Sequence, residues 1–365
     1  MGPLREPLAR LESVDFVITN GGLLEELERP RGLLALDVVG VVRLLELVLA
    51  DVVESGCEVV MTTRPMPLTH DSLREELTGV DAVIAGSDDF SEATLSLPEA
   101  AELKLVTRWG VGYDAIDIAA ATKQGIVVGF LPGFLDHVVA DYTWALLLGA
   151  ARRIPEGHHS VTHGGWKPAW GHDIHHRTLG IIGCGRIGVE VARRAAGFQM
   201  RVIASDPFPS DSAREAGVEF VPMETLLEFS DFISVNAAAT PENRNLINET
   251  ALRRMKSTAY LINTARGSLI DETALVRALE EGWIGGAALD AFAQEPLSVD
   301  HPLRSAPNCL LCPHMAPFAH GTAREMNAGV AQSVLDLMAG KQSELVVNPE
   351  VFGSGNLRAQ VEVPT

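Results

Sequence analysis

Four polar residues stand just past short apolar runs in the second half of the chain. Arg266 closes Ile262-Asn-Thr-Ala-Arg266, Asp290 closes Ala287-Ala-Leu-Asp290, Glu295 follows five residues on, and His314 closes Leu311-Cys-Pro-His314. A guanidinium fork binds a carboxylate through two charge-assisted hydrogen bonds. An imidazole beside a carboxylate can hold or deliver a proton at a reacting oxygen. Taken singly, each residue has an ordinary structural explanation: an ion-pair partner, a turn cap, a solvated loop acid, a satisfied histidine. Gathered in one cleft, they would recognise an acid and move a proton beside its carboxylate.

A second constellation lies upstream. Leu179-Gly-Ile-Ile-Gly-Cys-Gly-Arg-Ile-Gly188 reads as a short buried strand running through three glycines into a helix. Gly183 allows a tight turn, Gly185 lets a backbone approach a pyrophosphate, and Gly188 lets the helix pack closely on the strand. The helix start offers unpaired N–H groups and a positive dipole end to phosphates. A second strand ends at Asp206, eighteen residues after Gly188. An acid there accepts hydrogen bonds from a ribose diol and repels a 2′-phosphate, so the pattern predicts a dinucleotide site that favours NAD over NADP.

The elements that must carry these residues are legible as alternating periods. Strands are expected at 16–19, 58–61, 81–85, 103–107 and 126–129. A second series is expected at 179–182, 200–205, 219–221, 232–236, 258–263, 286–289 and 309–312. Helices are expected at 41–54, at the start of 93–103, and at 138–154, 186–197, 223–229, 248–254, 271–281 and 323–340, with a loop over 155–177 and a loose tail after Ser354. This alternation predicts an α/β protein with parallel sheets covered on both faces. The polar residues above then fall at strand ends, where open α/β sheets bind ligands.

Composition narrows the function. The 365 residues suffice for about two domains, and 47% are hydrophobic. A net charge of −19 without a basic stripe argues against nucleic acid. The most apolar stretch, 33–53, is broken by Asp37, Arg43, Glu46 and Asp51, which suits a core helix better than a membrane span. The N-terminus lacks a signal-peptide pattern, so the expected location is cytoplasmic. An acidic protein that binds an anion needs local positive charge, which singles out Arg266.

Two groupings suggest metal. Cys309 and Cys312 have metal-like spacing but no second ligand pair, and they sit in an apolar strand. Six of the eleven histidines (His158, His159, His163, His172, His175 and His176) lie in 155–177 without ligand register. No metal is expected at either. Trp166 and Trp170 in the same loop are expected to be covered by a subunit contact.

With these motifs in hand, the chain resembles the D-isomer-specific 2-hydroxyacid dehydrogenase family over nearly its whole length. The matching stretches are Leu105 to Asp117, Leu179 to Gly188, Leu261 to Glu272, Gly285 to Pro296 and Pro313-His314. The resemblance implies two Rossmann-like, doubly wound parallel-sheet domains flanking a cleft. The substrate domain would be flavodoxin-like and comprise 1–135 with 323–365; the NAD-binding domain would be 136–322. It implies an NAD-dependent dehydrogenase that interconverts a small 2-oxo acid and its D-2-hydroxy acid. Arg266 would bind the substrate, His314 would be the general acid of reduction, and Glu295 would orient the imidazole and favour its protonated form. Gly183, Gly185, Arg186, Ile187, Gly188, Asp206, Thr264 and Asp290 would contact the cofactor, with Asp290 near the nicotinamide carboxamide. Backbone N–H groups of Val111 and Gly112 would help hold the substrate carboxylate, and Arg108 and Trp109 would be wall residues. A homodimer built through the cofactor domain is implied as well.

Some features set the chain apart within the family. Leu135 stands where the family often carries asparagine, followed by Asp136 and His137; His137 is expected to be a helix-start residue before a second cleft histidine. His320 is another unusual candidate for the cleft. Asp88 and Asp89 replace the positive charge that a phosphoglycerate would need, and Glu295 stands where formate-oxidising members carry glutamine. The alternatives are oxidation of an unusual anion such as phosphite, and a dinucleotide-sensing, corepressor-like binding protein.

Overall fold

The computed structural model describes residues 67–361 continuously, together with strands at 14–18 and 57–61 and a few residues between them. In chain order, the first elements are β1 (Val14–Ile18), β2 (Cys57–Met61), α1 (His70–Glu76), β3 (Ala82–Ala85), α2 (Glu92–Leu95), β4 (Leu105–Arg108), α3 (Ile118–Lys123) and β5 (Val127–Gly129). Next come α4 (Asp136–Ala151), α5 (Ile154–Thr162), β6 (Thr178–Ile182), α6 (Arg186–Ala195), β7 (Arg201–Ser205), α7 (Asp211–Glu215), β8 (Val218–Phe220), α8 (Met223–Phe229) and β9 (Phe232–Val235). The series ends with α9 (Glu249–Arg254), β10 (Tyr260–Asn263), α10 (Glu272–Glu280), β11 (Gly286–Leu289), β12 (Cys309–Leu311) and α11 (His320–Met338).

The chain divides into two compact units, Met1–Phe134 with His320–Thr365, and Leu135–Ala319. The first holds a five-stranded parallel sheet of order β2-β1-β3-β4-β5. Its β3 is an apolar run buried on both faces, as parallel strands under helices must be, and the first three residues of β4 are buried as well. Asp88, read from sequence as an acidic loop charge, is fully buried. Its two oxygens accept the N–H groups of Leu68 (2.8 Å) and Gly86 (2.7 Å), so it organises the turn after β3. Part of the segment after Ser354, expected to be loose, is packed: Arg358 donates to the carbonyls of Ala100 and Leu103, and Ala359 is buried. The expected helix at 41–54 and the apolar stretch 33–53 lie largely outside the described residues.

The second unit holds a seven-stranded parallel sheet of order β12-β11-β10-β9-β6-β7-β8. Chain direction reverses its walk between β6 and β9, a topological switch point that places a ligand crevice at the carboxyl end of β6. The helix α4 is apolar on almost every side, and Val139, Trp144, Leu146 and Leu147 are all buried. Four helices depart from expectation: α1 and α3 in the first unit, and α5 and α7 here. Residues 154–162, expected to be loop, form α5; Pro155 in its first turn suits a helix start. The one-and-a-half-turn α7, too short to give a periodic signal, is capped by Ser210, whose hydroxyl accepts the Ala213 N–H. Among the described residues, no helix is long and apolar enough to cross a membrane.

Candidate active site

The glycine turn is built as its spacing requires. Gly183 has φ +83°, and a Cβ there would lie 2.5 Å from the backbone of Ala237. A Cβ on Gly188 would meet the Gly183 carbonyl at 2.5 Å, so the start of α6 sits directly on the turn. Gly185, by contrast, faces open space. It is the N-cap residue of α6 and places no side chain over the first-turn N–H groups of Arg186, Ile187 and Gly188, which have no intrahelical acceptors. These N–H groups and the open face fit a pyrophosphate. Asp206 closes the site: its carboxylate accepts the N–H groups of Cys184 and Phe208, both at 2.7 Å. Each oxygen keeps a lone pair for a ribose hydroxyl.

The acid–base residues cluster within the same unit. The Nδ1 of His314 lies 2.8 Å from Glu295 Oε2, and the Phe292 N–H donates to Glu295 Oε1 at 2.9 Å. Burial alone would raise the Glu295 carboxyl. The hydrogen bond and charge of His314, the Phe292 N–H and the Arg266 guanidinium outweigh it and hold the group below the usual carboxylate range. Arg266 thus lies close enough for its charge to act on Glu295. Its backbone is set by buried Asn263, whose side-chain amide donates to the Arg266 carbonyl (3.0 Å) and whose oxygen accepts the Ala265 N–H (3.0 Å).

Asp290 is 1% exposed and accepts the N–H groups of Met315 and Ala316, both at 2.8 Å. Burial pushes its carboxyl up to about 6 despite those two bonds. His314 has φ +54°, a left-handed conformation that costs energy for a residue other than glycine. Asp290 therefore pins the backbone just beyond a strained histidine. Thr264 is buried with its hydroxyl 2.7 Å from that of Thr143. Thr143 spends its proton on the Val139 carbonyl at 2.8 Å, so Thr264 is the donor and keeps its acceptor capacity.

Other sequence candidates lie elsewhere. Val111 and Gly112 belong to the first unit, in the segment after β4. There Arg108 donates to the Trp109 carbonyl at 2.7 Å, and the Trp109 indole N–H donates to Asn327 at 2.7 Å. His137 is in the first turn of α4, exposed, with Nδ1 3.0 Å from Glu190. Asp136 pairs with Arg186 at 2.8 Å. Leu135 is buried just before that helix. His320 opens α11 in the first unit. The rings of His159 on α5 and His163 just after it lie 3.9 Å apart and tilted, and no group of three metal-ligating side chains occurs among the described residues. Asn263, Thr143 and the Asp136–Arg186 pair escaped the sequence reading; only the position of Asn263 at a strand end hinted at its role.

Comparison with known proteins identifies the family. Residues 144–316 fit the model of the D-isomer specific 2-hydroxyacid dehydrogenase NAD binding domain. The chain is 45% identical to a glyoxylate reductase of Korarchaeum cryptofilum over 284 residues, covering 76% of this chain and 85% of that protein. It is 38% identical to a glyoxylate reductase of Thermofilum pendens over 305 residues, covering 81% and 90%. Among solved structures, a glyoxylate reductase from Paecilomyes thermophila superposes with a TM-score of 0.75 at 29% identity, covering 92% of this chain and 99% of that one.

Proposed function

The chain belongs to the D-isomer specific 2-hydroxyacid dehydrogenase family, and we propose that it reduces glyoxylate, or a 2-oxo acid of similar size, to the corresponding 2-hydroxy acid with NADH. The observation that carries this reading is the 2.8 Å contact of His314 with Glu295, beside a guanidinium whose charge Glu295 feels. When bound, NADH supplies the hydride that the carbonyl carbon accepts. Negative charge then builds on the carbonyl oxygen. Arg266 binds the substrate carboxylate through its planar fork and stabilises that charge. The Nδ1 of His314 is committed to Glu295, so Nε2 delivers the proton to the oxygen. In the reverse direction Nε2 takes the proton back from the hydroxyl. Glu295 fixes the ring orientation, and Asp290 fixes the backbone that carries it.

The cofactor is NAD. We assign Gly183, Gly185, Arg186, Ile187 and Gly188 to its pyrophosphate, Asp206 to its adenosine ribose, and Thr264 and Asp290 to its nicotinamide end. The open face of Gly185 and the oriented carboxylate of Asp206 support these assignments. A homodimer built through the cofactor domain, with the long helix α4 and the histidine-rich segment 155–177 at the contact, belongs to the same proposal. Trp166 (88% exposed), Trp170 (96% exposed), Ile154 and Val161 are exposed apolar side chains that a second copy would cover. A cytoplasmic location accords with four unpaired cysteines. NADH oxidation measured against glyoxylate, hydroxypyruvate, pyruvate and bulkier 2-oxo acids tests the reading. Glyoxylate is expected to give the highest kcat/KM; tight NADH binding without oxidation by any of the acids would overturn it.

A further inference from the structure

A second carboxylate–imidazole pair lies behind the first. Glu272, at the start of α10, accepts the Ala293 N–H on Oε1 at 2.7 Å. Its Oε2 lies 3.2 Å from His301 Nε2, and both side chains are largely buried. The tautomer of His301 follows from its other nitrogen: Nδ1 accepts the Leu303 N–H at 3.3 Å, so the proton sits on Nε2 and points at Glu272. Ala293 is two residues before Glu295, and the adjoining Phe292 N–H is the one that Glu295 accepts.

The same turn is held from another side. A Cβ on Gly267 would lie 1.8 Å from the Phe292 carbonyl carbon and 2.1 Å from the Ala293 nitrogen. The backbone next to Arg266 therefore rests directly on the turn that presents Glu295. One short segment, 266–272, both carries the arginine and grips the 292–295 turn through Gly267 and Glu272. The mechanism above uses neither Glu272 nor His301.

We propose that Glu272, oriented by His301, is a positioning residue for the Glu295–His314 pair: it fixes the Ala293 N–H, and with it the turn that aims Glu295 at the imidazole. This rests on the proposed reductase reading. The pair touches no substrate. Its loss would misalign proton delivery while leaving Arg266 to bind the carboxylate, so it would act on kcat rather than KM.

The test uses Glu272→Ala, Glu272→Gln and His301→Phe in the full chain, each with glyoxylate and NADH. Glu272→Ala is expected to lower kcat about 10- to 100-fold, the scale of a small misplacement near reacting groups, with KM for glyoxylate and NADH affinity within about threefold. Glu272→Gln keeps one oxygen for Ala293 but sets its amide NH2 against the His301 Nε2–H, so it is expected to recover kcat only in part, to between Glu272→Ala and the parent. His301→Phe is expected to lower kcat in the same direction, and it decides the matter if Glu272→Ala does not fold. In parallel, the His314 ring proton resonance, assigned with His314→Gln, is followed without substrate. It should move in Glu272→Ala and move less in Glu272→Gln. An unmoved resonance, unchanged kcat in His301→Phe, or equal losses of kcat and NADH affinity in both Glu272 variants would overturn the proposal. The resonance reads the pair even if the parent protein reduces none of the acids, a result that would instead sink the reductase reading.

Discussion

His314 has one ring nitrogen tied to Glu295 and the other available, and its neighbour Met315 is tied to Asp290. The two carboxylates titrate in opposite senses. Glu295 is held below its ordinary range, so the stability it gives is present above that range and is lost only as pH falls through its lower folded value. Asp290 is raised to about 6, above its unfolded value of roughly 3.9, so its ionised form costs stability above pH 6 and the cost is relieved as pH falls towards 4. Protonation also turns one acceptor oxygen into a donor and frees the Met315 or Ala316 N–H. Turnover is therefore expected to drop through an acid limb near pH 6. Asp290→Asn, which has one acceptor oxygen for two N–H groups, should be slower at neutral pH and should lack that limb in a pH–rate profile. Replacing Arg266 by lysine keeps the charge and removes the fork. We expect kcat/KM for glyoxylate to fall by about 3 kcal/mol of lost charge-assisted bonding, roughly 10²-fold, in steady-state assays.

At the scale of elements, the β6–turn–α6 unit tolerates little change. Gly183→Ala puts a Cβ into the Ala237 backbone at a φ of +83°. It should abolish measurable NADH binding by titration and destabilise the fold by about 1–3 kcal/mol in a thermal melt. This unit was legible in the sequence because three glycines, an apolar strand and a distant acid each mark a fixed backbone demand. The strands and long helices were legible for a similar reason, since burial on both faces leaves unbroken apolar runs. What stayed hidden depends on partners far apart in sequence. Asp88 reads as a surface acid until its two N–H donors come into view. Glu272 reads as a first-turn helix acid until it meets Ala293 and His301. The helix at 154–162 lacks an apolar stripe facing its own core, so periodicity had nothing to report, and none of its residues is buried.

For the whole molecule, the α5 region and the two exposed tryptophans set the expected assembly. Trp166→Ser with Trp170→Ser should convert a dimer to a monomer in sedimentation, while a dimer that persists unchanged would move the interface elsewhere. The two sheets were read as separate series of strands, and the return of α11 to the first unit came from the family resemblance, because no local signal marks which sheet a helix joins. Arg266, Glu295 and His314 were singled out by their places past strand ends, whereas the turns that aim them became visible only in three dimensions. The most direct test is NADH oxidation by glyoxylate in His314→Gln, with NADH binding measured on the same folded sample. We predict turnover about 10²–10⁴-fold below the parent with NADH affinity retained. Parental turnover in that variant would contradict the assignment of proton delivery to His314.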